Sequence, residues 1–173
     1  KTNSSKVVYK GELLDVRKDK VTLPNGKIAT REWIKHPGAI CCVPILPNKK
    51  IGLIRQYRYA IKKHMIEIPA GKLVWGEDPE NCAKRELEEE IGFKANKFSF
   101  LTNIHPAIGF ADEIMWLYLA EDLIKTNTKL DDDEFLELIP TKLEDALNMI
   151  WNGKITDVKT IVGLVWANKV LKE

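Results

Sequence analysis

Glu86, Glu88, Glu89 and Glu90 stand almost side by side at the end of a segment that begins Pro79-Glu80-Asn81-Cys82-Ala83 and closes on Ile91-Gly92. The segment carries the marks of a helix over 79–91. Asp78 is a good N-cap, Pro79 suits the first helical position, and Gly92 suits the position just past the end. At about 100° per residue, Ala83, Leu87 and Ile91 form one stripe that must face the core. Glu86 and Glu90 lie only about 40° apart beside that stripe, with Glu89 on the same flank beyond Glu86. Glu88 points to the opposite flank, where Lys84 is its expected i,i+4 partner.

Most acidic runs on helices are solvated faces with no further role. Two features weigh against that reading here. The glutamates occupy the last two turns, where the helix dipole is negative and disfavours anions. Like charges three and four residues apart add repulsion of roughly a few tenths of a kcal/mol per pair. A bound dication removes both penalties. Hard oxygen ligands select Mg²⁺ or Mn²⁺ over zinc, since no histidine or cysteine is placed to join them.

The loop ahead of this helix is Lys72-Leu73-Val74-Trp75, bracketed by Gly71 and Gly76. Glycine lets backbone approach a ligand closely, though a tight turn has the same signature. Further out, residues 7–23 alternate loosely and end at Leu23-Pro24-Asn25-Gly26, a turn signal, and 27–36 alternate again, so the two read as a hairpin. Ala39–Leu46 is a continuous apolar run, fit for a strand buried on both faces. Strands follow at 50–59 and, shorter, at 66–70 around Glu67. Past the acidic helix come strands at 97–104, 113–120 and 135–139. Thr141-Lys142-Leu143-Glu144 reads as a capping box opening a helix to Trp151. Gly153 breaks it, and 157–171 reads as a last amphipathic helix. The expected fold is α+β, a single domain over 1–173 in which 1–36 form an N-terminal antiparallel strand region and 37–173 the main fold.

Composition narrows the class. A chain of 173 residues with 45% hydrophobic and 30% charged content is an ordinary globular domain, long enough to bury a core without disulfides. With 27 basic against 25 acidic residues, the net charge of +2 argues against a nucleic-acid binder. Three cysteines, two of them adjacent (Cys41, Cys42), make a poor disulfide framework and a poor zinc set. They read as small buried apolar residues in a reducing compartment. No apolar stretch approaches the roughly 18 residues of a membrane span, and no signal-peptide pattern opens the chain, so the cytoplasm is expected. Trp116, Trp151 and Trp166 read as packing, and His36, His64 and His105 carry no assigned role.

Residues 71–93, written as Gly71, five residues, Glu77, seven residues, Arg85-Glu86-Leu87-Glu88-Glu89-Glu90-Ile91-Gly92-Phe93, resemble the Nudix box at every fixed position. Phe93 stands where an aliphatic residue is commoner. The resemblance implies an α/β/α sandwich of mixed sheets, with the box as the loop-helix-loop that holds divalent metal. It implies Glu86 and Glu90 as principal ligands, Glu89 as ligand to an additional metal or as an orienter of water, and the carbonyl of Ala70 in the shell. Arg85 and Glu77 would fix the loop through an ion pair.

The likeness extends over most of the chain. Arg55-Gln56-Tyr57-Arg58-Tyr59 and Glu67-Ile68-Pro69-Ala70-Gly71-Lys72-Leu73 look like the ADP-ribose pyrophosphatase group of that family. Gly109-Phe110-Ala111-Asp112-Glu113 resembles its substrate loop, and Gly153–Thr160 its helix connection. Glu67, Gly109, Phe110 and Glu113 therefore become expected substrate contacts. Arg55 and Arg58 are candidates to clamp phosphate, with strand-face ion pairs the equal alternative. Trp33 or Phe110 is a candidate to stack a base. Pro106 departs from the pattern, lying closer to the box than the proline diagnostic of ADP-ribose, so GDP-mannose stands as the rival sugar nucleotide. In this group the general base is typically a late-loop glutamate. Asp131-Asp132-Asp133-Glu134 is the acidic cluster in that region, with Glu134 chosen because it adjoins a strand, and Asp133 second. The N-terminal strands imply a homodimer. Nucleoside triphosphates, dinucleoside polyphosphates and capped RNA are competing substrates. An inactive binding module would be expected to lose box carboxylates, which this chain keeps.

Overall fold

The chain opens with an antiparallel three-stranded sheet, β1 (Thr2–Lys10), β2 (Asp15–Thr22) and β3 (Ile28–Lys35). The computed structural model describes residues 1–130 and 134–172. β2 and β3 form the hairpin that the Pro-Asn-Gly signal predicts. The expected single strand over 7–23 is two strands, because the chain reverses at 11–14, where the Gly11 N–H donates to the Leu14 carbonyl at 2.8 Å. The turn opens on Gly11 but ends in two leucines, which continue the apolar alternation and mask it. Every residue of β1 is exposed.

Next come β4 (Ala39–Pro44), β5 (Ile51–Arg58), β6 (Lys63–Glu67), β7 (Ala70–Lys72), α1 (Pro79–Ile91), β8 (Phe93–Ile104), β9 (Met115–Lys125), β10 (Leu136–Thr141), α2 (Leu143–Trp151) and α3 (Val158–Val170). β4 is apolar throughout and wholly buried, as its composition requires of a strand covered on both faces. It pairs in parallel with β9 and antiparallel with β7, giving a mixed sheet ordered β7-β4-β9-β8. A second sheet, β10-β5-β6, is antiparallel.

The strand period of two sorts the core into layers. Ile40 and Cys42 of β4, with Tyr118 and Ala120 of β9, pack against Cys82, Ala83, Leu87 and Ile91 of α1. Cys41 and Val43, with Leu117 and Leu119, pack against Ala146 of α2 and Leu164 and Ala167 of α3. Helices thus cover both faces, which is the expected α/β/α sandwich. The three cysteines are free and buried, as their apolar reading required.

Several local readings need correction. The strand expected over 66–70 is split between β6 and β7, since Pro69 cannot donate to a ladder. Thr141 ends β10, and its hydroxyl donates to the Ile139 carbonyl at 3.0 Å, so it is no capping box and α2 begins without a side-chain cap. α3 is not cleanly amphipathic, for Val158, Val165 and Val170 face solvent while Leu164 and Ala167 are buried. Trp151 is 74% exposed rather than packed.

Candidate active site

Glu77 fixes the loop that delivers α1. Its Oε2 accepts the Val74 N–H at 2.9 Å, and Arg85 Nε reaches its Oε1 at 3.3 Å, tying the loop to the second turn of the helix. The Val74 N–H first, and Arg85 with it, hold the Glu77 carboxyl below its ordinary range. Asp78 Oδ1 caps the helix by accepting the Asn81 N–H at 3.0 Å. Gly92 ends it at φ +67°, where a Cβ would meet the Thr126 carbonyl oxygen at 3.1 Å.

The helix places its carboxylates as its periodicity predicts. Glu90, only 6% exposed, sits beside the core stripe and accepts the Ala70 N–H through Oε2 at 3.1 Å. Burial, and then the negative charges of Glu86 and Glu134, push its carboxyl well above the usual carboxylate range. Glu86 lies over Gly71, where a Cβ would stand 2.0 Å from Glu86 Cδ. Glycine in β7 is what gives that side chain room. Burial is also the main effect raising the Glu86 carboxyl, partly opposed by Arg85. Arg85 Nη1 bridges Glu86 Oε1 at 2.8 Å and Glu89 Oε2 at 2.9 Å. Lys84 does not pair with Glu88. It turns back to Glu80 at 2.5 Å, the i,i+4 order that suits the helix better, and Glu88 takes Lys94 at 3.4 Å.

Among the described residues no three His, Cys, Asp or Glu side chains are drawn together into a finished metal cage. The residues present nonetheless fit a hard dication. Glu90 is a buried carboxylate, Glu86 lies one turn away, Ala70 is joined to Glu90 from the neighbouring strand, and the charge of Glu134 is felt by both glutamates. Surplus negative charge on an all-oxygen donor set is what Mg²⁺ or Mn²⁺ requires.

Around Ala70 and Gly71 opens a cavity of about 310 Å³ whose walls include Arg58, His36, Pro106, Glu113, Asp157 and Lys159. Glu67 lies behind this wall, 2% exposed, accepting Arg58 Nε at 2.7 Å and Nη2 at 2.6 Å, and also Lys159 Nζ. Arg58 thus makes an ion pair and borders the cavity at once. Arg55 faces elsewhere, 3.2 Å from Glu137, and shares a second cavity of about 330 Å³ with Glu134, His64 and Phe135. Phe110 is 58% exposed, its carbonyl accepting the Ile34 N–H at 2.7 Å, so the loop carrying Gly109 and Phe110 is tied to β3. Glu113 Oε1 stands 3.9 Å from His36 Nδ1. Trp33 donates to Asp19 Oδ2 at 3.0 Å, within the N-terminal sheet. Asp131, Asp132 and Asp133 lie outside the described residues.

The sequence assigns no role to His36, and it marks Asp157, Lys159 and Thr160 only as part of the helix connection. The signal for the last three was present. Asp157 precedes a helix by one residue with Thr160 three further on, an N-cap pattern, and a lysine in the first turn opposes the helix dipole unless a carboxylate holds it.

A family model described as "NUDIX domain" matches residues 35–160, and one described as "Nucleoside diphosphate sugar hydrolase N-terminal domain" matches residues 1–34. The chain is 41% identical to an ADP-ribose pyrophosphatase of Bacillus subtilis (strain 168), over 92% of this chain and 88% of that one. It is also 41% identical to a methanol dehydrogenase activator of Bacillus methanolicus, over 95% of this chain and 90% of that one. A crystal structure of an ADP compounds hydrolase superposes with a TM-score of 0.87 at 23% identity, covering 99% of this chain and 94% of that one, a likeness of fold.

Proposed function

The chain belongs to the Nudix hydrolase family, and on that premise we propose that it is a metal-dependent pyrophosphohydrolase of a nucleoside diphosphate sugar. ADP-ribose is the first candidate, cut to AMP and ribose 5-phosphate, and GDP-mannose the second. The observation that carries this reading is the buried Glu90 engaged with Ala70, beside a Glu86 that Gly71 makes room for. Such an edge serves phosphate chemistry. A glycosidic bond would instead need two carboxyls flanking a sugar ring.

Mg²⁺ or Mn²⁺ would be held by Glu86, Glu89, Glu90 and the Ala70 carbonyl, and when bound would neutralise pyrophosphate oxygens and acidify water. The remaining work falls to the chain. Glu134, whose charge reaches Glu86 and Glu90, takes the proton of the attacking water as general base. Arg85 keeps Glu86 and Glu89 from splaying apart. Arg58, held by Glu67 through Nε and Nη2, binds phosphate oxygens from the Ala70 cavity, and Arg55 does so from the cavity that it shares with Glu134. Gly109, Phe110 and Glu113 contact the nucleoside, the exposed Phe110 ring stacking on the base.

The whole chain acts as one domain, with 1–36 pairing two copies into a homodimer. Val7, Val8 and Tyr9 of β1 are exposed apolar residues on a strand that no helix covers among the described residues. Free, buried cysteines suit the cytoplasm, and no helix among the described residues is long and apolar enough to cross a membrane. A panel of ADP-ribose, GDP-mannose, diadenosine polyphosphate and nucleoside triphosphates, each with Mg²⁺, tests the substrate. The highest kcat/KM is expected for ADP-ribose, and preference for a triphosphate would overturn the proposal.

A further inference from the structure

Lys159 is a buried lysine, 7% exposed, in the first turn of α3. Removing such a charge from water is costly unless good partners meet it. Its Nζ donates to Glu67 and, at 3.0 Å, to Asp157 Oδ2. Asp157 caps α3, its Oδ2 accepting both the Thr160 N–H at 3.0 Å and the Thr160 hydroxyl at 2.6 Å. With its proton given to Asp157, the Thr160 oxygen accepts the buried Ile68 N–H at 2.9 Å. One turn on, Gly163 lets the helix close on the same residue, since a Cβ there would stand 2.8 Å from Ile68 Cδ1.

What the first turn of α3 grips is the break between β6 and β7, where Pro69 interrupts the ladder. On the far side of that break the Ala70 N–H donates to Glu90. Sheet pairing holds the break from one direction, through Cys42 N–H to the Pro69 carbonyl at 3.0 Å. α3 holds it from the other. Lys159 and Arg58 balance Glu67 and Asp157, so the cluster adds no net charge to the carboxylate edge it supports.

We propose that Asp157, Lys159 and Thr160 form a clamp that positions the metal-binding edge, fixing Glu67 and Ile68 so that Ala70 meets Glu90 in register. These are positioning residues, and the inference rests on the reading of Glu86, Glu90 and Ala70 as cation ligands. Losing a supporting group of this kind typically weakens metal affinity or activity by roughly 10–100-fold.

The experiment is Mn²⁺ binding, followed by electron paramagnetic resonance, on wild type, Glu90→Gln, Thr160→Val, Thr160→Ser, Lys159→Met and Leu164→Ala, with thermal unfolding of each. Thr160→Val and Lys159→Met are expected to weaken Mn²⁺ binding about 10–100-fold while remaining folded at the assay temperature. Thr160→Ser, which restores the hydroxyl, should bind as wild type. Leu164→Ala lies in the same helix but in the core, and should lose stability while keeping its Mn²⁺ affinity. Wild-type affinity in Thr160→Val and Lys159→Met, with affinity lost in Glu90→Gln, overturns the clamp alone. Equal loss in Leu164→Ala overturns it too, by reducing the effect to general destabilisation. Undiminished binding by Glu90→Gln takes down the reading of the metal edge, and the clamp with it.

Discussion

Replacing Gly71 with alanine isolates the geometry of the carboxylate edge. A Cβ at this position would stand 2.0 Å from Glu86 Cδ and 2.2 Å from its Cγ and Oε1, where ordinary contact begins at 3.4 Å. Glu86 must therefore retreat by about 1.4 Å, the difference between those two distances. The backbone does not object, since Gly71 is not among the residues with positive φ. A flexible side chain absorbs the clash, so the stability cost should stay below about 1 kcal/mol. A misplacement of about 1 Å at a catalytic group costs roughly 10²-fold in rate, and a displaced ligand should weaken metal binding as well. Gly76→Ala is the contrasting control. Its φ is +85° with nothing within 4 Å, so alanine there should cost about 1–2 kcal/mol of backbone strain and leave turnover near wild type. Initial rates at saturating substrate, an Mn²⁺ titration and a thermal melt on both variants make the comparison. Wild-type turnover and Mn²⁺ affinity in Gly71→Ala would refute the reasoning, because Glu86 would then be shown to do nothing where it sits.

The other expectations are briefer. Glu134→Gln should lower kcat by roughly 10²–10⁴-fold, the usual worth of a positioned base, with KM little changed; near-normal kinetics there and in Asp131, Asp132 and Asp133 variants would move the base to Glu89. Burial, the largest single effect on Glu67, raises its carboxyl, but Arg58 and Lys159 together outweigh it and hold the group below 4.5. A carboxyl depressed by folding stabilises above its unfolded value and loses that contribution as pH falls through its folded one. Glu67→Gln should accordingly cost about 3–5 kcal/mol at neutral pH, as breaking a buried pair does, with the gap to wild type narrowing in melts below pH 4.5; a gap independent of pH would contradict the pairing. Light scattering at micromolar concentration should give twice the 19.8 kDa chain mass, and a purely monomeric species would remove β1 as an assembly surface.

Much of the site was written in local pattern. α1 could be drawn from Asp78, Pro79 and Gly92, and the neighbourhood of Glu86 and Glu90 from a rotation per residue, because both are properties of one helix. The layers followed from β4, whose unbroken apolar run demands cover on two faces. Long-range arrangements were not legible. Nothing local says that Thr160 bonds Ile68, 92 residues away, or that cations from two elements, Arg58 and Lys159, converge on Glu67. Where two local rules compete at Thr141, the longer-range pairing decides between them. Thr141 satisfied the spacing of a capping box, but the strand register of β10 claimed it first. Lys84 had glutamates four residues away on both sides, and only the dipole preference distinguished Glu80 from Glu88.

The most direct test of the central claim is hydrolysis of ADP-ribose with Mg²⁺ in ¹⁸O-labelled water, followed by mass spectrometry of both products and repeated in excess chelator. Cleavage between the two phosphorus atoms predicts AMP and ribose 5-phosphate, with one labelled oxygen in only one of them, and no turnover once the metal is removed. Free ADP as product, or undiminished turnover in chelator, would contradict it.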